Sequence, residues 1–417
     1  MDFFTNTFTA YTGDSYKVCF VDDLPCDYLM SAGFSLSSTR LLFPQDVLDP
    51  LNTVPRILVD ALAAQYAGIA LVAREPADAW LITGMRSFMT DSFMRTLTGN
   101  NEYRFRQRQC ADRVHELDVN RPSLSAFGSI LHLDPSEMEF MTLKAGVVLF
   151  ILDRRLTKSS GSAGISRVIS RFLTTSKGGD ADATFLSTST FHQRCQKMGH
   201  LPLDSFFEQW VYCAGCPSFQ VTQRFNKKRM VVEMLIRQVQ SERQELAQPQ
   251  DLDPERFLRD IKEEDAEVYA GLPPTVFVGP MTIRIHEADG TPYEHIVDIK
   301  ELNTRFEVPY NTKYKRLGRS RRQKERLAAN GTSNNEGQDE VLLYCLGDVL
   351  QAEDEVADWR LTDWSKEDED RMNGESYEWI RMDADFEWIC KLNINMPAYM
   401  FVSQLQQDRD VVAQMEV

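Results

Sequence analysis

The hydrophobic periodicity of this chain changes near Gly215–Pro217, and that change limits what it can fold into. Before it, apolar residues recur three and four apart, the spacing that gathers them on one face of an α-helix. PRILVDALAAQYAGIALV from Pro55 and DAWLITGMRSFMTDSFMRTLTG from Asp78 both show it, and helical texture runs from Pro55 to about Gln107. The second stretch stops at Gly99-Asn100, a helix C-terminal signal. Further helices are predicted over Met141–Leu152 and Gly164–Leu173, separated by the loop KSSGSAG. Ala183–Val211 reads as two short helices, the second being LDSFFEQWV. After the change, SFQVTQRF, RMVVEMLIRQVQ, TVFVGPMTIRIHEADG and EHIVDI alternate apolar with polar residues and are rich in Val, Ile, Phe and Thr, as half-buried strands are. Ala288-Asp289-Gly290 is a hairpin-turn signal, and Val341–Leu346 and Tyr377–Met382 are further strand candidates. SQLQQDRDVVAQMEV then returns to a helical period. The fold class predicted is α+β: a helical half, then a small antiparallel β-sandwich.

With 417 residues, 43 % of them hydrophobic, the chain has material for two or three domains and a substantial core. Its longest apolar run, Ala145–Leu152, is far short of the roughly 20 residues that cross a bilayer. The start, MDFFTNTFTAYTGD, lacks the basic-then-apolar order of a secretory signal, so membrane and secreted readings are disfavoured. Eight scattered cysteines make no disulfide framework and suit a reducing compartment.

The net charge of −16 is uneven. Glu336–Asp370 holds thirteen acids against Arg360 and Lys366. Just before it, Lys313, Lys315, Arg316, Arg319, Arg321, Arg322, Lys324 and Arg326 stand against Glu325 alone. That basic run suits a nuclear address or contact with DNA phosphates by counterion release. The bland alternative is a solvated loop neutralised by its acidic neighbour. Only Tyr314 accompanies it, too little aromatic surface to stack single-stranded bases.

Other motifs are weaker. Cys213-Ala214-Gly215-Cys216-Pro217 is a lone C-x-x-C with no second pair to complete a zinc site, and it follows a helix where a redox motif would follow a strand. A structural turn is the favoured reading. His115, His132, His192, His200, His286 and His295 show no ligand spacing beyond His192-x-x-Cys195, so surface or core roles are favoured. No G-x-S-x-G elbow supports a Ser/His/Asp site, and Gly161-Ser162-Ala163-Gly164 lacks the G-K-[ST] of a phosphate loop.

Between Val59 and Met89, Gln65, Tyr66 and Gly68, then Asp78 and Trp80, then Leu81 and Gly84, fall in an order and spacing that resembles the HExxH zinc aminopeptidases. In that class two histidines four apart on one helix bind zinc, and the glutamate between them is general base to the bound water. The resemblance puts Asp60 and Ala64 at the two histidine positions, Ala61 at the catalytic glutamate and Thr83 at the third ligand. It also puts Cys26-Asp27-Tyr28-Leu29-Met30 at the box that grips the substrate amino terminus, with Leu29 in place of its acid. Thr142, ahead of Lys144-Ala145-Gly146-Val147-Val148, stands near the family's transition-state tyrosine. One carboxylate cannot assemble a His₂Glu site, so the expectation is a pseudo-peptidase: not an enzyme, without metal or cofactor.

A dead aminopeptidase scaffold followed by a β domain resembles the TBP-associated factor family that supplies the second subunit of the general transcription factor TFIID. Tyr377-Glu378-Trp379-Ile380-Arg381-Met382-Asp383-Ala384-Asp385 and Gln407-Asp408-Arg409-Asp410-Val411-Val412-Ala413-Gln414 are similar to its W-I-R-x-D-x-D and E-R-D-V-V-A-Q boxes. Asn101–Arg104, Gln209–Val211, Phe225–Arg229 and Val278–Pro280 match in order and spacing. The resemblance implies a pseudo-aminopeptidase domain over 1–212 and a β-sandwich over 213–401, with disordered charged inserts at 312–340 and 351–375. It also implies that 402–417 begins a helical-repeat region. The family's N-terminal β domain and the repeats themselves have no counterpart in these residues. The implied role is a non-enzymatic nuclear scaffold that supports core-promoter (initiator) DNA engagement and assembly of the RNA polymerase II preinitiation complex. Its implied neighbours are other TFIID subunits, namely the largest and a histone-fold subunit with an extended tail, and no membrane. A residual metallo-aminopeptidase, or a peptide-binding pseudo-enzyme outside transcription, is the alternative, and an autonomous DNA-binding module is a third class.

Overall fold

Every residue from Lys144 to Leu152 is buried, because the helix that carries this apolar run is surrounded on all sides. A computed structural model describes residues 1–240 other than 12, 14, 131–136, 162–163 and 179–180, then 257, 261, 264, 271, 273–287, 292–311 and 377–417. Helices α1 (Asp2–Thr7), α2 (Thr53–Ala63), α3 (Ala79–Thr98), α4 (Asn100–Leu117), α5 (Leu124–Phe127), α6 (Met138–Ser160), α7 (Ile165–Ser176), α8 (Thr188–Gly199) and α9 (Asp204–Phe207) make the first part mainly helical, as the periodicity predicts. At its centre α3 lies close against α6: a Cβ added at Gly84 would stand 3.1 Å from the Ala145 carbonyl oxygen. Gly99, at φ +93°, ends α3 in a conformation that favours glycine.

Three features depart from the periodicity. Helix α2 stops at Ala63 although the apolar pattern runs on to Val72, and the chain turns through Gly68 (φ +137°) into the short strand β4 (Val72–Ala73). A sheet of β1 (Lys17–Val21), β2 (Tyr28–Ser31) and β3 (Phe34–Ser38), in the order β1-β3-β2, precedes α2 and was not signalled. Its strands are short and β1 is exposed along nearly its whole length, so no alternation marks it. Gln65 ties this sheet to the end of α2: its amide oxygen accepts from the Gly33 N–H (3.0 Å), and its amide nitrogen donates to the Ser31 carbonyl (3.0 Å). Third, α9 passes into a π-helical turn over Glu208–Tyr212. Gln209 in that turn donates to the Val278 carbonyl at 3.0 Å and accepts from the Val278 N–H, so the wide turn grips the second half of the chain.

The β part contains β6 (Ser218–Asn226), β7 (Val231–Gln238), β8 (Gly279–Glu287), β9 (Pro292–Ile299), β10 (Asn303–Pro309), β11 (Tyr377–Arg381) and β12 (Lys391–Ile394); β4 pairs in parallel with β5 (Phe185–Leu186) far from these. They form two sheets, β10-β7-β6-β12 and β11-β8-β9, whose inward residues Val221, Ile236, Ile283 and Ile380 join the common core. All pairings in these two sheets are antiparallel except β12 with β6, a correction to the purely antiparallel expectation. Trp210 links the halves, lying 5.6 Å from Phe277 and 6.3 Å from Trp388 between ring centroids. The final helices are α10 (Ala398–Gln407), which begins after Pro397 and so before the expected residue 402, and α11 (Val411–Met415). The Ala288-Asp289-Gly290 turn, the Val341–Leu346 strand candidate and both charged inserts lie outside the described residues, although β8 and β9 do pair with His286 opposite Pro292.

Candidate functional site

A cleft of about 810 Å³ opens beside α2, with α4 and the N-terminal half of α6 contributing to its lining. Asp60, on α2, lines it and is fully engaged. Its carboxylate accepts from Arg86 (3.1 Å) and Thr90 (3.4 Å) on α3 and from the Tyr28 hydroxyl on β2, in a very short bond. Burial, and then the charge of Asp60, push the Tyr28 phenol well above its ordinary pKa, so it stays protonated as the donor Asp60 requires. A second carboxylate, Asp91, takes Arg56 at 2.5 Å and Gln107 at 2.6 Å. A third, Glu137, is held by Arg121, whose guanidinium also lies 4.3 Å from the Phe140 ring centre. Cys110 lines the same cleft, and burial raises its thiol pKa.

The cleft brings together Asp60, Thr142 and Tyr28, the neighbour of Leu29. It does not gather the remaining aligned positions. Ala61 and Ala64 are buried and do not line it, and Thr83 turns its hydroxyl onto the Ala79 carbonyl of its own helix (3.1 Å). Leu29 is 49 % exposed on β2, outside the lining. A zinc ion does not fit this donor set: at the positions that the resemblance assigns to zinc ligands, the one carboxylate already accepts from three donors, one of them the Arg86 guanidinium, and the others are alanine and threonine. Among the described residues no three His, Cys, Asp or Glu groups lie close enough to hold a metal. Sequence reasoning missed Arg56, Arg86, Asp91 and Gln107. Arg86 had a signal, since it sits one helical turn after Thr83 on the same face.

The C-x-x-C segment is a turn in this structure. Gly215 has φ +77°, and a Cβ there would come within 2.8 Å of Pro273. Cys216 is buried with its sulfur 3.5 Å from Asp118, whereas Cys213 faces Glu208 at 3.9 Å. The basic residues from Lys313 to Arg326 lie outside the described residues.

Three of the sequence boxes meet elsewhere, at a buried charge cluster. Arg381 of β11, whose side chain is fully buried, pairs with Asp410 (3.1 Å) and Glu416 (3.2 Å) and lies 3.7 Å from Asp408. Asp410 is also held from α4 by Arg104, in a two-pronged contact at 2.8 and 3.2 Å. Burial alone would raise the Asp410 pKa, but Arg104 and Arg381 hold it below the usual carboxylate range. Asp383 receives the N–H groups of Glu387 (2.8 Å) and Trp388 (3.0 Å), and Asp385 takes Lys158 of α6 at 2.7 Å. The W-I-R-x-D-x-D and R-D-V-V-A-Q boxes therefore clasp one another and the helical half.

Comparison with known proteins fits this architecture. Residues 214–397 match the family model described as the TAF2 Ig-like domain. Across its whole length the chain is 45 % identical to transcription initiation factor TFIID subunit 2 of Schizosaccharomyces pombe and 37 % identical to that of Saccharomyces cerevisiae. The chain belongs to the TFIID subunit 2 family. It spans 35 % and 30 % of the length of those two subunit 2 relatives. The fold of the chain is also similar to that of an aminopeptidase. It aligns over its full length, and over 36 % of the other chain, with the crystal structure of Legionella pneumophila aminopeptidase A in complex with aspartic acid, at a TM-score of 0.58 and 11 % identity.

Proposed function

We propose that these residues form a non-enzymatic scaffold within a nuclear TFIID subunit, supporting engagement of core-promoter (initiator) DNA and assembly of the RNA polymerase II preinitiation complex. The observation that supports the reading is similarity along the whole of this chain to parts of two subunit 2 proteins, together with an Asp60–Arg86 ion pair at the position that the resemblance assigns to a zinc ligand. Residues 1–212 serve as the pseudo-aminopeptidase unit and 213–401 as the sandwich. The neighbours proposed are the largest TFIID subunit and the histone-fold subunit with an extended tail. A cleft relieved of metal and general base still offers a shaped concavity, and we assign it to docking an extended partner segment. The basic run from Lys313 to Arg326 is assigned to nuclear import or DNA-backbone contact.

The test is capture of the tagged chain from nuclear extract, with co-purifying proteins identified by mass spectrometry. Recovery of TFIID subunits is the expected result. Recovery of none by a chain shown to be folded would sink the scaffold role for these residues.

A further inference from the structure

Given the cleft-docking role proposed above, on which this inference rests, the charges of the cleft select the peptide. Three lining carboxylates are already neutralised: Asp60 by Arg86, Asp91 by Arg56 and Glu137 by Arg121. None of these three is left to hold a peptide amino group, and the exposed Leu29 sits on the strand beside Tyr28, outside the lining, so that Asp27 ahead of it is the carboxylate offered on that side. Helix α4 behaves oppositely. It turns Arg106, Cys110, Arg113 and Leu117 into the cleft, a single stripe at i, i+4, i+7 and i+11. Both arginines are exposed; among the described residues Arg106 makes no ion pair, and Arg113 has only a 3.5 Å contact to Glu116 one turn away.

Seven residues of helix separate the two guanidinium-bearing positions by about 10 Å, the span of about three residues of extended chain. Ile57, Leu143 and Val147 supply apolar surface in the same cleft. The carboxylates that remain in the lining, Asp27 and Glu139, come from the approach to β2 and the first turn of α6, not from α4. We infer that the cleft takes an internal, extended segment of a partner chain whose acidic residues face Arg106 and Arg113 with apolar residues between them, and that it does not read a free amino terminus.

Fluorescence anisotropy of the whole chain with ten-residue peptides labelled at the C-terminus tests this. One peptide alternates Glu with Leu and Val; its counterpart carries Gln for Glu; each is made with a free and an acetylated amino terminus. The Glu peptide should bind about tenfold more tightly than the Gln peptide, with acetylation making no difference and added salt reducing the gap. The double variant Arg106→Glu/Arg113→Glu should erase the preference, whereas Lys228→Glu on the exposed β6–β7 turn should keep it. Thr142→Trp, which fills the cleft from a half-buried helical position, should abolish binding altogether. Equal binding of Glu and Gln peptides, both lost in Thr142→Trp, would overturn the acidic preference and leave the docking cleft standing. Preference for a free amine would overturn it too. Binding that survives Thr142→Trp, or no binding by any peptide, would overturn both.

Discussion

Lys144 and Asp118 face one another at 2.7 Å with neither side chain exposed, and the Cys216 thiol lies against the same carboxylate oxygen. Two charges taken so far from water are held by their mutual attraction, and removing one strands the other. Asp118→Ala should therefore cost about 3–5 kcal/mol of unfolding free energy by urea titration, and Lys144→Met/Asp118→Leu should recover most of it. At this scale the sequence is legible only in part. Lys144 stands out as a charge inside an apolar run, but its partner 26 residues away carries no mark. The family resemblance set Asp60 at a zinc-ligand position; that it would anchor Arg86, Tyr28 and Thr90 depends on how α2, α3 and β2 pack, which no local pattern encodes.

At the scale of elements, helices whose apolar faces pack on the core announced themselves, and so did strands β6 to β9, whose apolar residues alternate with polar ones in the sequence, although β8 is buried along most of its length. Strands β1 to β3 and β12 did not: they are short, and β12 is added to its sheet by a parallel neighbour from far along the chain. The end of α2 was misread because the run beyond it is apolar for packing around a turn, not for a helix face. Where β8 meets β11, His286 stacks on Trp379 at 4.0 Å between ring centres and lies 3.7 Å from Asp408 ahead of α11. Burial lowers the imidazole pKa to about 4, with Asp408 only partly offsetting it. Between pH 6.5 and 4 the unfolded chain therefore binds a proton that the folded chain resists. Stability from this group is complete above pH 6.5 and falls on acidification towards 4. Urea midpoints should report a loss of about 1–2 kcal/mol from this group between pH 7 and 5, and His286→Phe, which keeps the stacking, should flatten that slope.

For the molecule as a whole, an aminopeptidase fold with a saturated Asp60 predicts no stoichiometric zinc after dialysis and no turnover of an aminoacyl-nitroanilide with zinc added; either one above background would revive the enzyme reading. The charge cluster that unites the two halves has a further consequence, one of timing. Arg104 and Asp410 are 306 residues apart in sequence. A ribosome adding about 5–20 residues per second needs roughly 15–60 s to make the second after the first. Arg104 of α4 waits through all of that interval, whereas Arg381 of β11 waits only through its last 29 residues. A nascent chain that holds nearly all its core residues but has not yet made Asp408, Asp410 and Glu416 is thus the form most in need of chaperone cover.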